Sequence, residues 1–139
     1  MLHLLDTATF SANALTPQLL PAYIRKLLDT DEVKAVCSVS LLELAIHYRH
    51  KRLQLMGTLL EFFDLALAQD IALLDITPRI ADATTRLPAG FPGDPFDRTI
   101  AATARVMNLT LITPDKHIRD ARFCSVEFYP FRPIRTRRG

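Results

Sequence analysis

The chain has only two cysteines, Cys37 and Cys124, and they stand far apart. No C-x-x-C pair and no Cys/His ligand spacing is present, which argues against a zinc site. Both cysteines are expected to be free, buried thiols of a reducing compartment. Nor is there a run of ~18 apolar residues of the kind that spans a membrane. The N-terminus has no basic segment followed by a long apolar one, and Asp6 interrupts it early. A cytoplasmic protein with no membrane partner is expected. Strong charge is also missing: 17 Lys+Arg against 15 Asp+Glu give a formal net charge of +2, too little to establish nucleic-acid binding on its own. Without repeats, low-complexity stretches or an internal linker, the chain reads as one domain over residues 1–131. Residues 132–139 form a basic tail, where Arg132, Arg135, Arg137 and Arg138 follow Arg122 in a crowded arginine stretch. A solvated, disordered tail and a contact with a polyanion are both open for it.

What is present is an ordinary globular balance, 49% hydrophobic and 23% charged, in which strand and helix patterns alternate. Leu2–Leu5, Val33–Cys37, Ile71–Ile76 and Leu109–Thr113 read as short buried strands, with Val126–Tyr129 a fifth at the edge. Helical spacing predicts Pro17–Leu28, Ser40–Arg52, Gln54–Gln69, Pro78–Leu87 capped by Thr77, Pro95–Met107, and a short Lys116–Ala121. Residues 88–93 are a Pro- and Gly-rich loop. Alternation of this kind implies a mostly parallel sheet of four to five strands covered by helices on both faces.

Four acids stand at the ends of these strands or the starts of these helices: Asp6, Glu43, Asp97 and Asp115. In a parallel sheet such positions share one edge, so the carboxylates converge there. Two carboxylates about 4 Å apart repel by roughly 4 kcal/mol at an effective dielectric near 20, so four together call for a divalent cation or shared protons. Each acid also has a local explanation. Glu43 fits a capping box with Ser40, Asp94 suits the N-cap before Pro95, and Asp115 suits the next helix. Asp6 is the hardest to explain this way. Mg²⁺ or Mn²⁺ suits such an all-oxygen set. Thr7 and Thr113 are candidates to orient a carboxylate or a water. Asp94 is a cap or supporting group, and Asp97 the better ligand.

Leu4-Leu5-Asp6-Thr7, Ser38 to Leu44, Phe91-Pro92-Gly93-Asp94-Pro95-Phe96-Asp97-Arg98 and Leu111-Ile112-Thr113-Pro114-Asp115 resemble the PIN-domain family, most closely its VapC-like toxins. The Asp-Pro-Phe-Asp-Arg segment is the most specific part. The resemblance implies a PIN-like three-layer α/β/α sandwich and a Mg²⁺- or Mn²⁺-dependent endoribonuclease. It further implies a homodimer restrained by a small VapB-like antitoxin that lies across the active site. The family's acidic quartet falls on Asp6, Glu43, Asp97 and Asp115, with Asp94, Thr7, Thr113 and Arg98 as accessory residues. One departure is Ala8, where many relatives carry a polar side chain. Arg98 is read either as a phosphate contact or as a clamp on its own loop through an acid. The basic run His47, Arg49, His50, Lys51, Arg52 is read as a solvated face or an RNA-backbone contact. Phe62 and Phe63 are expected in the core or a dimer interface, and His117 on the surface. The rival reading is a catalytically silent PIN-like module that binds RNA or protein.

Overall fold

The computed structural model describes residues 1–131. The basic tail predicted for 132–139 lies outside the described residues. Five short strands form one wholly parallel sheet: β1 (His3–Leu5), β2 (Lys34–Cys37), β3 (Ile71–Leu74), β4 (Thr110–Thr113) and β5 (Val126–Phe128). Their order is β3-β2-β1-β4-β5. Leu5 aligns with Val36 on one side and with Ile112 on the other. Because side chains alternate along a strand, this register sorts the core. Leu4, Ala35 and Leu111 point to one face and meet Ile100, Ala101 and Ala104. Leu5 and Val36 point to the other and meet Phe10, Leu44, Phe62 and Ala66. Ile112 shares that second face and packs with Ala12, Ile24 and Tyr129. A three-layer α/β/α sandwich results, and runs apolar on both faces are what a parallel sheet requires.

The covering helices are α1 (Thr7–Leu15), α2 (Ala22–Leu28), α3 (Ser38–Arg49), α4 (Leu59–Leu67), α5 (Pro78–Ala83), α6 (Pro95–Val106) and α7 (Lys116–Ala121). The sequence pattern did not predict α1. Its residues are small and polar apart from Phe10 and Leu15, so no apolar stripe marks it, yet Asp6 caps it by accepting from the Thr9 N–H. The predicted helix 17–28 is divided into a 3-10 turn, Pro17–Leu19, and α2. Pro21 between them has no N–H to donate and fixes the break. The helix predicted from Ser40 begins at Ser38 instead, with Cys37 at the cap position and no side-chain cap bond. Ser40 is therefore inside the first turn, and its capping box with Glu43 does not form. A side-chain cap forms elsewhere: the Thr58 hydroxyl accepts from the Glu61 N–H and donates to Glu61 Oε1. That cap starts α4 at Leu59, later than the predicted Gln54. The helix predicted over 78–87 ends at Ala83 and continues as a 3-10 turn, Thr84–Arg86.

Among the described residues, four have left-handed backbone: Lys51 (φ 60°), Asp70 (57°), Asn108 (54°) and Arg122 (53°). Each follows a helix end, where a left-handed residue, most often glycine, reverses the chain. Among the described residues no glycine has positive φ.

Candidate active site

The carboxyl ends of parallel strands all emerge along one edge, and the helices that follow begin there. Asp6 leaves β1, Glu43 sits in the second turn of the helix that leaves β2, and Asp115 follows β4 by two residues. Asp97 stands in the first turn of α6. All four line one cleft of about 330 Å³, together with Thr7, Ala8, Pro114 and Phe131.

Asp6 is the most constrained. Its Oδ1 accepts from the Thr9 N–H at 2.8 Å, and its Oδ2 accepts from the Thr113 hydroxyl at 2.5 Å. Burial pushes its carboxyl up to about 6; the bonds from Thr113 and Thr9 oppose the shift, and the charge of Asp115 adds to it. The Thr113 Oγ1 also accepts from the Asp115 N–H at 3.1 Å, so one buried hydroxyl ties two of the acids together. Asp115 caps α7, its Oδ1 accepting from the His117 and Ile118 N–H groups at 2.8 and 3.2 Å.

Asp97 is pushed higher, to about 7, by burial first and then by Asp94, Glu43, Asp115 and Asp6. Every charged neighbour named there is an acid, which expresses the mutual repulsion of the cluster. Glu43 has one carboxylate oxygen, Oε1, buried without a hydrogen-bond partner. Its Oε2 lies 3.9 Å from His47 Nε2. A buried carboxylate oxygen with no partner is costly, and it marks where a cation or a proton is wanted. Among the described residues, no three His, Cys, Asp or Glu side chains are drawn into a closed metal-binding group. The four acids line one cleft. The donor set is all oxygen, which fits a hard divalent cation that keeps much of its water.

The supporting residues divide. Asp94 caps α6, accepting from the Phe96 and Asp97 N–H groups at 2.7 and 3.4 Å, and does not line the cleft. The Thr7 hydroxyl lines the cleft but donates to the buried Ser40 Oγ at 2.9 Å. Arg98 does hold a loop, but through carbonyls: its guanidinium donates to Pro92 O and Thr84 O at 3.5 and 3.4 Å, with no ion pair to Asp94. Phe62 is buried in the core and Phe63 packs against it. Both thiols are free, and burial pushes each up to about 11. The sequence reading passed over Thr9, whose backbone fixes Asp6 and whose hydroxyl meets Ile112 O and Tyr129 at 3.0 and 2.9 Å. Thr9 stands three residues after Asp6, which is the N-cap spacing, so the signal was present once α1 was known.

Residues 4–123 match the family model of the PIN domain. The chain belongs to the PIN-domain family. Over 106 residues it is 35% identical to Ribonuclease VapC22 of Mycobacterium tuberculosis, an alignment covering 76% of this chain and 81% of that protein. Its fold is shared with VapBC2 of Rickettsia felis, solved bound to a DNA fragment from the promoter (TM-score 0.70, 20% identity, 93% of this chain and 99% of that one). DNA-bound VapBC of Salmonella typhimurium is similar to the same degree (TM-score 0.70, 23% identity, 92% and 98%). In this PIN domain the matched segment contains all four cleft acids.

Proposed function

We propose that this protein is a divalent-metal-dependent endoribonuclease that acts as the toxin of a toxin–antitoxin pair. The observation that carries the reading is the cleft itself: four carboxylates from four separate segments, with Glu43 Oε1 buried and unpartnered. The named ribonuclease relative supplies the substrate class, and the VapBC complexes among its structural neighbours supply the kind of partner.

Asp6, Asp97 and Asp115 would hold the ion, Mg²⁺ or Mn²⁺, directly or through water, with Glu43 completing the set. When bound, such an ion lowers the pKa of an attacking water and neutralises charge on the scissile phosphate. Thr113 donates to the Asp6 carboxylate and would orient it toward the ion. The Asp115 Oδ1 accepts from the α7 cap N–H groups, and its Oδ2 would serve the ion. Glu43 would either complete that set or position the attacking water as its general base. In-line attack leaves a 5′-phosphate and a 3′-hydroxyl. We further assign a homodimer and a small VapB-like antitoxin whose C-terminal segment covers the cleft. Ala8 lines the cleft with a methyl group that donates no hydrogen bond, and this is the feature that would suit a silent binding module.

Induced expression of wild type and Asp6→Asn, with total RNA resolved on a gel, separates the two. Growth arrest with discrete fragments in the wild type alone is expected. Equal growth and intact RNA in both, with folded protein confirmed, would give the cleft to the silent module.

A further inference from the structure

A second cleft, of about 220 Å³, opens beside the acidic one. Thr7, Ala8 and Glu43 line both, and the second adds Ser11, Leu44, His47, Arg52 and Leu53. Arg52 reaches this wall because of how α3 ends. The helix stops at Arg49, and Lys51 takes the left-handed conformation at φ 60°. The Arg52 N–H then donates back to His47 O at 2.8 Å, while the Lys51 N–H donates to Tyr48 O at 3.1 Å. This six-to-one bond is the helix terminator that usually employs glycine, and here it is made with a lysine. Leu53, the next residue, packs into the apolar cluster of Phe10, Leu44 and Phe62. The backbone is thus fixed on both sides of Arg52, while its side chain is exposed. None of the ion pairs among the described residues involves it.

We infer that this second cleft is a phosphate subsite, in which Arg52 takes an RNA phosphate flanking the one that is cut. The inference rests on the acidic cleft being the cutting site. Four carboxylates repel a polyanion except where a cation sits, so a strand crossing them needs a positive hold immediately alongside. Arg52 supplies it as a planar fork matched to phosphate, and the exposed Arg49, His50 and Lys51 strengthen the field at the same helix end. Ala8 acquires a role here. It lies with Thr7 and Glu43 on the boundary common to both clefts, where its small side chain adds neither bulk nor a further charge.

The test uses the full chain carrying Asp97→Asn, so that RNA is bound and not cut. Binding of a labelled, random-sequence, single-stranded RNA of ~12 nucleotides is followed by fluorescence anisotropy between ~50 and ~200 mM salt. Adding Arg52→Gln should weaken binding about tenfold at low salt, the effect of losing one charge-assisted contact. It should also reduce the slope of log K against log salt by about 0.7. Arg52→Lys should keep the slope and lose part of the affinity. In the otherwise wild-type enzyme, Arg52→Gln should lower kcat/KM and leave kcat at saturating RNA unchanged. Equal affinity and slope with and without Arg52 would overturn the subsite, whether or not the wild type cuts RNA, and would give the surface to an acidic protein segment. RNA binding through Arg52 by a wild type that cuts nothing would overturn the nuclease reading and not the subsite.

Discussion

Asp97 and Asp6 hold their protons more tightly in the fold than in a free chain, up to about 7 and 6 against an ordinary 3.8. The folded state therefore binds more protons than the unfolded one between pH ~4 and ~7, so stability falls as pH rises through that window and levels off above it. In chelator-treated protein at pH 8, Asp97→Asn should raise stability by roughly 1–2 kcal/mol, because it removes a charge that burial and four acids oppose. At pH 4 the gain should vanish. Urea titrations at the two pH values check this, and a destabilised Asp97→Asn at pH 8 would contradict the repulsion argument. The same substitution should abolish RNA cleavage. Glu43→Gln separates holding an ion from moving a proton. If Oε1 takes the proton from water, the variant should keep most of its Mn²⁺ affinity and lose at least ~100-fold in turnover. Calorimetry beside single-turnover rates would show it, and parallel loss of both would make Glu43 a ligand first.

Elements were legible in the sequence where an apolar period or a strong cap marked them. The Asp94-Pro95 start of α6 and the Asp115 start of α7 follow directly from side chains that accept from the first free N–H groups. The short apolar runs marked the buried strands, and the structure sorts Leu4 and Leu5 onto opposite faces. Helix α1 was not legible, because its packing rests on Phe10 and small residues that carry no helical stripe. The site inherited that gap: Asp6 was readable as an acid at a strand end and Thr113 as a hydroxyl that could orient a carboxylate, as it does for Asp6, but the bond from the Thr9 N–H depends on α1. The end of α3 was the other blind spot, read to Arg52 where the helix stops at Arg49, since the left-handed Lys51 leaves no glycine to read. That yields a prediction at this scale. Lys51→Gly should stabilise the fold by roughly 0.5–1 kcal/mol, because glycine takes positive φ without the Cβ clash, and thermal denaturation will show whether it does. Thr58→Ala should cost about 1 kcal/mol by removing the α4 cap.

At the scale of the molecule, the sheet edge is what converts scattered acids into a site. Positions 6, 43, 97 and 115 share no local structure, and only the order β3-β2-β1-β4-β5 brings their strands and helices to one side. The fold therefore bears the repulsion of the cluster, and a divalent ion that relieves it stabilises native protein by linkage. Binding must also displace whatever protons Asp97 and Asp6 carry. Mn²⁺ titrated into chelator-treated protein should raise Tm, and the rise should be larger at pH 8 than at pH 6, where protons compete. Calorimetry in two buffers of different ionisation enthalpy should detect proton release near pH 6.5 and almost none at pH 8.5. Asp6→Asn combined with Asp97→Asn should remove both the Tm rise and the proton release. If the double variant kept them, the ion would be bound elsewhere and the carboxylate cleft would be neutralised by protons alone.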